Sequence, residues 1–334
     1  MDKQTYQGNY IVGAYATSPN LFSWNESSEL EYFDAIKRLQ SIRGLELPFW
    51  GKSLHPFDDQ WLLNNLDPTW ENVLTCLPGT MANLANDIHF GLASSDENSR
   101  KAAIGFYEIA LQSIQKLKAK NGENSLHAIH LSSSPRNLAH NQYASADSFE
   151  NSLNEILDWE WGETKITVEH CDAWTPQNNK PQKGFLKLEE EIEVINIVNE
   201  KHDADIGLII NWGRSAIELQ DVNGAKRHIE LANQHNLLHG LMFSGTTNND
   251  ANLYGRWSDL HMPPAPHQKN QFGESESLMS LSEINNVLSV CDFSTLGYLG
   301  IKLLAMPNDS TIEKRVGINY GAMMMIDEVV EELI

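Results

Sequence analysis

Eight short apolar runs, each followed by a longer stretch with helical spacing, limit what this chain can fold into. The runs are YIVGAYA (Tyr10–Ala16), GLELPF (Gly44–Phe49), NVLTCLP (Asn72–Pro78), LHAIHLS (Leu126–Ser132), KITVEHC (Lys165–Cys171), DIGLIIN (Asp205–Asn211), LLHGLMFS (Leu237–Ser244) and YLGIKLLA (Tyr298–Ala305). Most carry few charges, the pattern of parallel strands buried on both faces. Helical stretches cover Ser148–Asp158, Leu186–Lys201, Val222–His235, Leu281–Val290 and Thr311–Leu333. Ser28 with Glu31 reads as a capping box that opens a further helix, and Ser95 with Asn98 opens one that reaches Lys120.

Eight βα units in 334 residues predict a single (β/α)8 TIM-type barrel over residues 1–334, with helices outside and a site at the carboxyl ends of the strands. A doubly wound open sheet is the competing architecture. It usually carries a glycine-rich first turn for a nucleotide, and the turn after the first run is TSPNLF. No linker divides the chain. The segments Asn178–Gly184 and Asp259–Ser277 interrupt the alternation without ending it, and a loop as long as the second is often functional.

Charge narrows the partners. With 45 acidic against 24 basic residues the formal net charge is −21, which opposes binding to a phosphate backbone and, by the same argument, to an anionic membrane surface. No apolar run approaches the roughly 18–20 residues of a spanning helix. The first thirty residues lack a basic start followed by an apolar core, so a cytoplasmic protein is expected. Three cysteines, Cys76, Cys171 and Cys291, lie far apart and fit reduced thiols better than a disulfide framework.

A barrel gathers the polar residues at its strand ends. The second run supplies Glu46, with His55 in the loop beyond. The fourth supplies His130 and the fifth Glu169, His170 and Asp172. The sixth runs into Asn211, Trp212 and Arg214. The seventh ends at Ser244, and its long loop carries Asp259 and His261. Strand alternation puts Ile166, Val168 and His170 on one face and Thr167, Glu169 and Cys171 on the other. The apolar pair belongs against the helices, so Glu169 faces the interior, where a carboxylate finds polar company. Lys302 stands alone among Gly300, Ile301, Leu303 and Leu304 and requires either a carboxylate such as Glu169 or an anionic substrate group.

The order of the units, the glutamates of GLELPFWG and TVEHCDAW and the histidine of the fourth run together resemble the xylose isomerase-like TIM barrels, a superfamily of sugar isomerases, epimerases and apurinic endonucleases. The segments VGAYATSP, GLELPFWGKSLHP, LTCLPGTMANLANDIHFGLASSD, VEHCDAW and NWGRSAIE look more similar still to a bacterial branch known only as a domain of unknown function. The resemblance spans essentially the whole chain. In the epimerase members it implies a divalent metal held by a Glu, an Asp, a His and a Glu on strands five to eight, with two glutamates moving a proton through an enediol. Glu169 matches the first ligand. Asn211, Ser244 and Lys302 stand where the others are expected, so the implied metal set is incomplete.

The expected function is isomerisation or epimerisation of a sugar or sugar acid, phosphorylated or not. Glu169 acts as general base or metal ligand, and Glu46, His130 and Lys302 complete the catalytic set. Asn211, Arg214, Ser244, His55, Trp212, Asp259 and His261 bind a small-molecule carbohydrate. A barrel that binds carbohydrate without a metal, or that acts as a lyase or hydrolase, is the alternative from a different class.

Overall fold

A computed structural model describes residues 9–21 and 23–334. Residues 1–8 and Phe22, which belong to the stretch read for a leader and to the TSPNLF turn, lie outside the described residues. All eight expected strands form, and they close in sequence order into a barrel, β1-β2-β3-β4-β5-β6-β7-β8. They are β1 (Tyr10–Val12), β2 (Ile42–Pro48), β3 (Asn72–Thr75), β4 (Leu126–Leu131), β5 (Lys165–Glu169), β6 (Gly207–Asn211), β7 (Leu238–Phe243) and β8 (Tyr298–Ile301). Every residue of β1, β3, β6 and β8 is buried, as parallel strands covered on both faces require. The helices are α1 (Ala14–Thr17), α2 (Glu26–Lys37), α3 (Asp59–Asn65), α4 (Leu77–Leu84), α5 (Glu97–Asn121), α6 (Ala146–Leu157), α7 (Leu188–His202), α8 (Trp212–Leu219), α9 (Gly224–Gln234), α10 (Leu281–Leu288) and α11 (Ile312–Leu333).

The strands are shorter at their ends than the apolar runs. β1 stops at Val12, and the remainder of its run turns into the short α1. β3 stops at Thr75, and Pro78 sits in the first turn of α4, where its missing N–H costs nothing. β8 stops at Ile301, which moves Lys302 from inside the strand to the residue just past it. Two caps also shift. Asn25, not Ser28, caps α2, its Oδ1 accepting from Ser28 N at 3.0 Å. Asp96, not Ser95, caps α5 by accepting from Ser99 N at 2.9 Å. In both cases the side chain three residues before the bonded N–H takes the role, as cap geometry demands.

The chain divides into two compact units. The first, residues 1–46, 210–233 and 238–334, pairs β1 with β8 (Val12 opposite Ile301) and β7 with β8 (Phe243 opposite Ile301). Gly300 is required here because a Cβ would lie 2.3 Å from Met242 Sδ and 2.8 Å from Ile11 O. α11 is tied down by Asp327, which accepts from Tyr10 Oη at 2.5 Å, and by Arg315, whose buried guanidinium donates to the carbonyls of Thr17 and Ser18. The long loop after β7 is ordered by its own backbone bonds, including Trp257 N to Thr247 O and Leu278 N to Thr246 O.

The second unit, residues 47–209 and 234–237, pairs β3 with β4 and β4 with β5, with Thr75 opposite His130 and His130 opposite Thr167. Its α5 is held to α6 by Arg100, which donates to Ser152 Oγ and Glu155. Among the described residues no helix is long and apolar enough to cross a membrane.

Candidate functional site

In the second unit the strand ends bring three polar side chains together. Glu169, the last residue of β5, is buried, and its Oε2 accepts from Thr75 Oγ1 at 3.0 Å. The His130 ring, one strand away, places Nδ1 4.0 Å from the same oxygen. Cys76 lies beside them, and burial first, then the charge of Glu169, pushes its thiol well above the ordinary range. Cys76 therefore stays protonated and is no nucleophile at neutral pH.

His170 turns the other way, as strand alternation expects. Its Nδ1 lies 2.7 Å from Glu191 Oε2 on α7, and Ser133 Oγ donates to the other oxygen of that carboxylate at 2.5 Å. Asp172 fastens the loop beyond β5, its Oδ2 accepting from the backbone of Gln182 at 2.7 Å and Lys183 at 3.3 Å. His55 is bound to its own turn: Nδ1 accepts from Phe57 N and Asp58 N, and the ring packs 5.6 Å from that of Trp61. Burial pulls its pKa below the ordinary histidine range.

In the first unit two cations meet two carboxylates. Lys302 Nζ lies 2.9 Å from Glu46 Oε2 and donates to Oε1 at 3.1 Å, so within this unit its carboxylate partner is Glu46 rather than the Glu169 offered by the sequence. Both side chains are at most 1% exposed. Arg214 Nε donates to Asp259 Oδ2 at 3.0 Å, again with both side chains buried. Asp259 Oδ1 in turn lies 3.1 Å from His261 Nδ1.

Asn211 ends β6 and caps α8, accepting from Arg214 N at 3.2 Å and from Ser244 Oγ at 2.8 Å through one carbonyl oxygen. Its amide nitrogen and the indole nitrogen of Trp212 are buried with no hydrogen-bond partner among the described residues. Buried donors left over in this way are where a ligand or water oxygen belongs.

The sequence reading missed Thr75, Glu191 and Ser133. Thr75 was open to the rule that found the others, being the polar last residue of its strand, but the apolar run continues past it and hides where the strand stops. Glu191 gave no signal, since it sits in the acidic run of Glu189 to Glu191 that opens α7.

Comparison with known proteins adds the family. A model for a domain of unknown function, DUF4862, matches residues 11–318. The chain belongs to the DUF4862 family. A curated relative, an uncharacterised protein of Salmonella typhimurium, is 37% identical over 324 residues, covering 95% of this chain and 96% of its own. Among solved structures the DUF4862 chain is similar to the IOLI protein with a binding zinc atom, at 13% identity and TM-score 0.58, covering 98% of this chain and 99% of that one. It is also similar to a xylose isomerase-like TIM barrel/4-hydroxyphenylpyruvate dioxygenase fusion protein, at 11% identity and TM-score 0.54, covering 94% of this chain and 41% of the fusion. At such identities the structural likeness speaks to fold alone.

The four-ligand divalent site that the resemblance implies does not fit the side chains of this DUF4862 chain. The Asn211 carbonyl oxygen that would face a metal already accepts a backbone N–H and the Ser244 hydroxyl. Lys302 brings a cation to the β8 position, where a carboxylate ligand is expected and where like charge repels a metal. No catalytic step is derived through such an ion.

Proposed function

We propose that the chain is a sugar or sugar-acid isomerase or epimerase that transfers a proton at the C-terminal ends of its strands. The observation that carries this reading is Glu169: a buried carboxylate at a barrel strand end whose oxygen accepts from a neutral hydroxyl, Thr75, and faces the ring of His130. A carboxylate oriented by neutral donors keeps its basicity better than one locked to a cation. Glu169 is the general base that removes the proton from the carbon next to a carbonyl. His130 steadies the carboxylate as it gains and returns that proton.

The first unit supplies charge and hydrogen-bond donors. Lys302, fixed by Glu46, stabilises developing enediolate charge, and the unpartnered Asn211 amide and Trp212 indole N–H groups bind sugar oxygens. The same two donors favour the second reading, a carbohydrate-binding barrel without catalysis, because neutral donors bind hydroxyls whether or not chemistry follows.

Deuterium exchange separates the two. The chain is incubated in deuterated water with a panel of ketoses, aldoses, uronates and their phosphates, and substrate carbon is followed by proton NMR. The isomerase reading expects wash-in at one carbon, lost by about 10²–10⁴-fold in Glu169→Gln, the range for removing a general base. Binding of a panel sugar without wash-in supports the second reading.

A further inference from the structure

Isomerisation through an enediol moves two protons, one on carbon and one on oxygen, so the isomerase reading requires a second proton carrier besides Glu169. The loop after β7 contains a histidine held as such a carrier must be. Its main chain is clamped on both sides. Gly245 and Met262 exchange backbone hydrogen bonds of 2.7 and 3.1 Å just past β7, and His261 O accepts from Leu304 N at 2.7 Å just past β8. Gly245 permits this closeness, since a Cβ there would lie 2.7 Å from Met262 O. The clamp holds His261 at φ +50°, in the left-handed region that a residue with a Cβ rarely adopts. Backbone held in such a region persists where the surroundings over-determine it, and such positions cluster at functional sites.

Behind the ring stands a charge-balanced support. His261 Nδ1 lies 3.1 Å from Asp259 Oδ1, off the line of a strong hydrogen bond, and Asp259 Oδ2 is fixed by Arg214 Nε at 3.0 Å. The Asp259 side chain is 2% exposed and that of Arg214 1%, whereas the His261 side chain is 17% exposed although its Nδ1 is shut off from solvent. The accessible part of the imidazole is therefore its outer edge, away from Asp259. Burial pushes the ring below the ordinary histidine range; Asp259 pulls it back up, and Lys302 and Arg214 press it down again. The imidazole is neutral at physiological pH, with the Nδ1 proton turned to Asp259 and the Nε2 lone pair outward.

We infer that His261 is the catalytic residue that carries the oxygen-bound proton of the isomerisation, with Asp259 and Arg214 as the residues that position it. This rests on the isomerase reading above. Nε2 takes the proton from the substrate hydroxyl, whose O–H pair becomes part of the new carbonyl. The imidazolium then delivers that proton to the oxygen of the former carbonyl, while the carbon base carries the other proton between neighbouring carbons. No proton is gained or lost, and no co-reactant is consumed.

The full chain tests this in two arms. With a panel sugar that exchanges, His261→Asn and His261→Gln should lower kcat by about 10²–10⁴-fold at little-changed KM. Imidazole should restore part of the rate to His261→Ala, and Asp259→Asn should move the acidic limb of the pH profile. Wild-type turnover in both polar variants, or an unmoved limb in folded Asp259→Asn, overturns the assignment. If no panel sugar exchanges, the isomerase reading fails, and the nitrogen-15 spectrum of histidine-labelled protein still decides whether His261 is poised. A neutral ring with a bare Nε2 at pH 7, and a tautomer that changes in Asp259→Asn, sustain a proton-carrying His261; a charged ring, or one indifferent to Asp259, overturns it.

Discussion

The two units hold their strand-end carboxylates in different ways. In the first, Glu46 lies against Lys302 and Asp259 against Arg214, each buried anion matched by a buried cation. In the second, Glu169 accepts from the Thr75 hydroxyl beside the His130 ring, and Glu191 is met by a hydroxyl and by the imidazole of His170. A carboxylate paired with lysine or arginine keeps its charge over the whole physiological range, so it suits a fixed electrostatic frame. One held by hydroxyl and imidazole can trade a proton with little rearrangement. The comparison assigns framing to the first unit and carbon-proton transfer to the second.

Breaking a buried pair from one side should give the largest loss of stability. Lys302→Met or Arg214→Met leaves a carboxylate without its cation in a buried setting, and urea unfolding should show about 3–5 kcal/mol less stability. Lys302→Met combined with Glu46→Leu should recover most of that loss, because replacing both charges removes the desolvation penalty as well. An additive double variant would mean that the pair is not the unit that matters. In the second unit the corresponding change is milder. Thr75→Val removes one neutral hydrogen bond and should cost about 1–3 kcal/mol, with slower deuterium wash-in as the kinetic signature of a Glu169 that is no longer oriented.

Helix caps are a reference common to both units. Asn25→Ala in the first and Asp96→Ala in the second should each cost about 1 kcal/mol of thermal stability whatever the charge pattern at the strand ends. The smallest effect is expected from pH. The folded-state pKa of His261 is lowered by burial, so the unfolded chain binds this proton first. Its contribution to stability is complete above the ordinary histidine value of about 6.5 and is lost as pH falls through the lower folded value. Urea melts at pH 8 and pH 5 should therefore differ less in His261→Asn than in the wild-type chain.

The architecture was legible because barrel strands are short, apolar and regularly spaced, and all eight were placed from that pattern. Their ends were not, because an apolar run does not mark where a strand gives way to a helix. Cys76–Pro78 and Ala14–Ala16 continue the hydrophobic run while the backbone turns into α4 and α1. The turn of Glu169 away from His170 followed from alternation, since Ile166 and Val168 claim the helix side. Long-range partners were beyond reach. The sequence gives no hint that Lys302 meets Glu46 across 256 positions, or that Arg214 fixes Asp259 across 45. Such pairs are set by strand register and loop path, which periodicity does not encode.

Glu169 is the centre of the functional reading, and solvent exchange at substrate carbon reads it most directly. The wild-type chain should carry deuterium from solvent into one carbon of a sugar or sugar acid, and Glu169→Gln, with unchanged thermal stability, should not. A folded Glu169→Gln chain that exchanges at the wild-type rate would contradict the assignment.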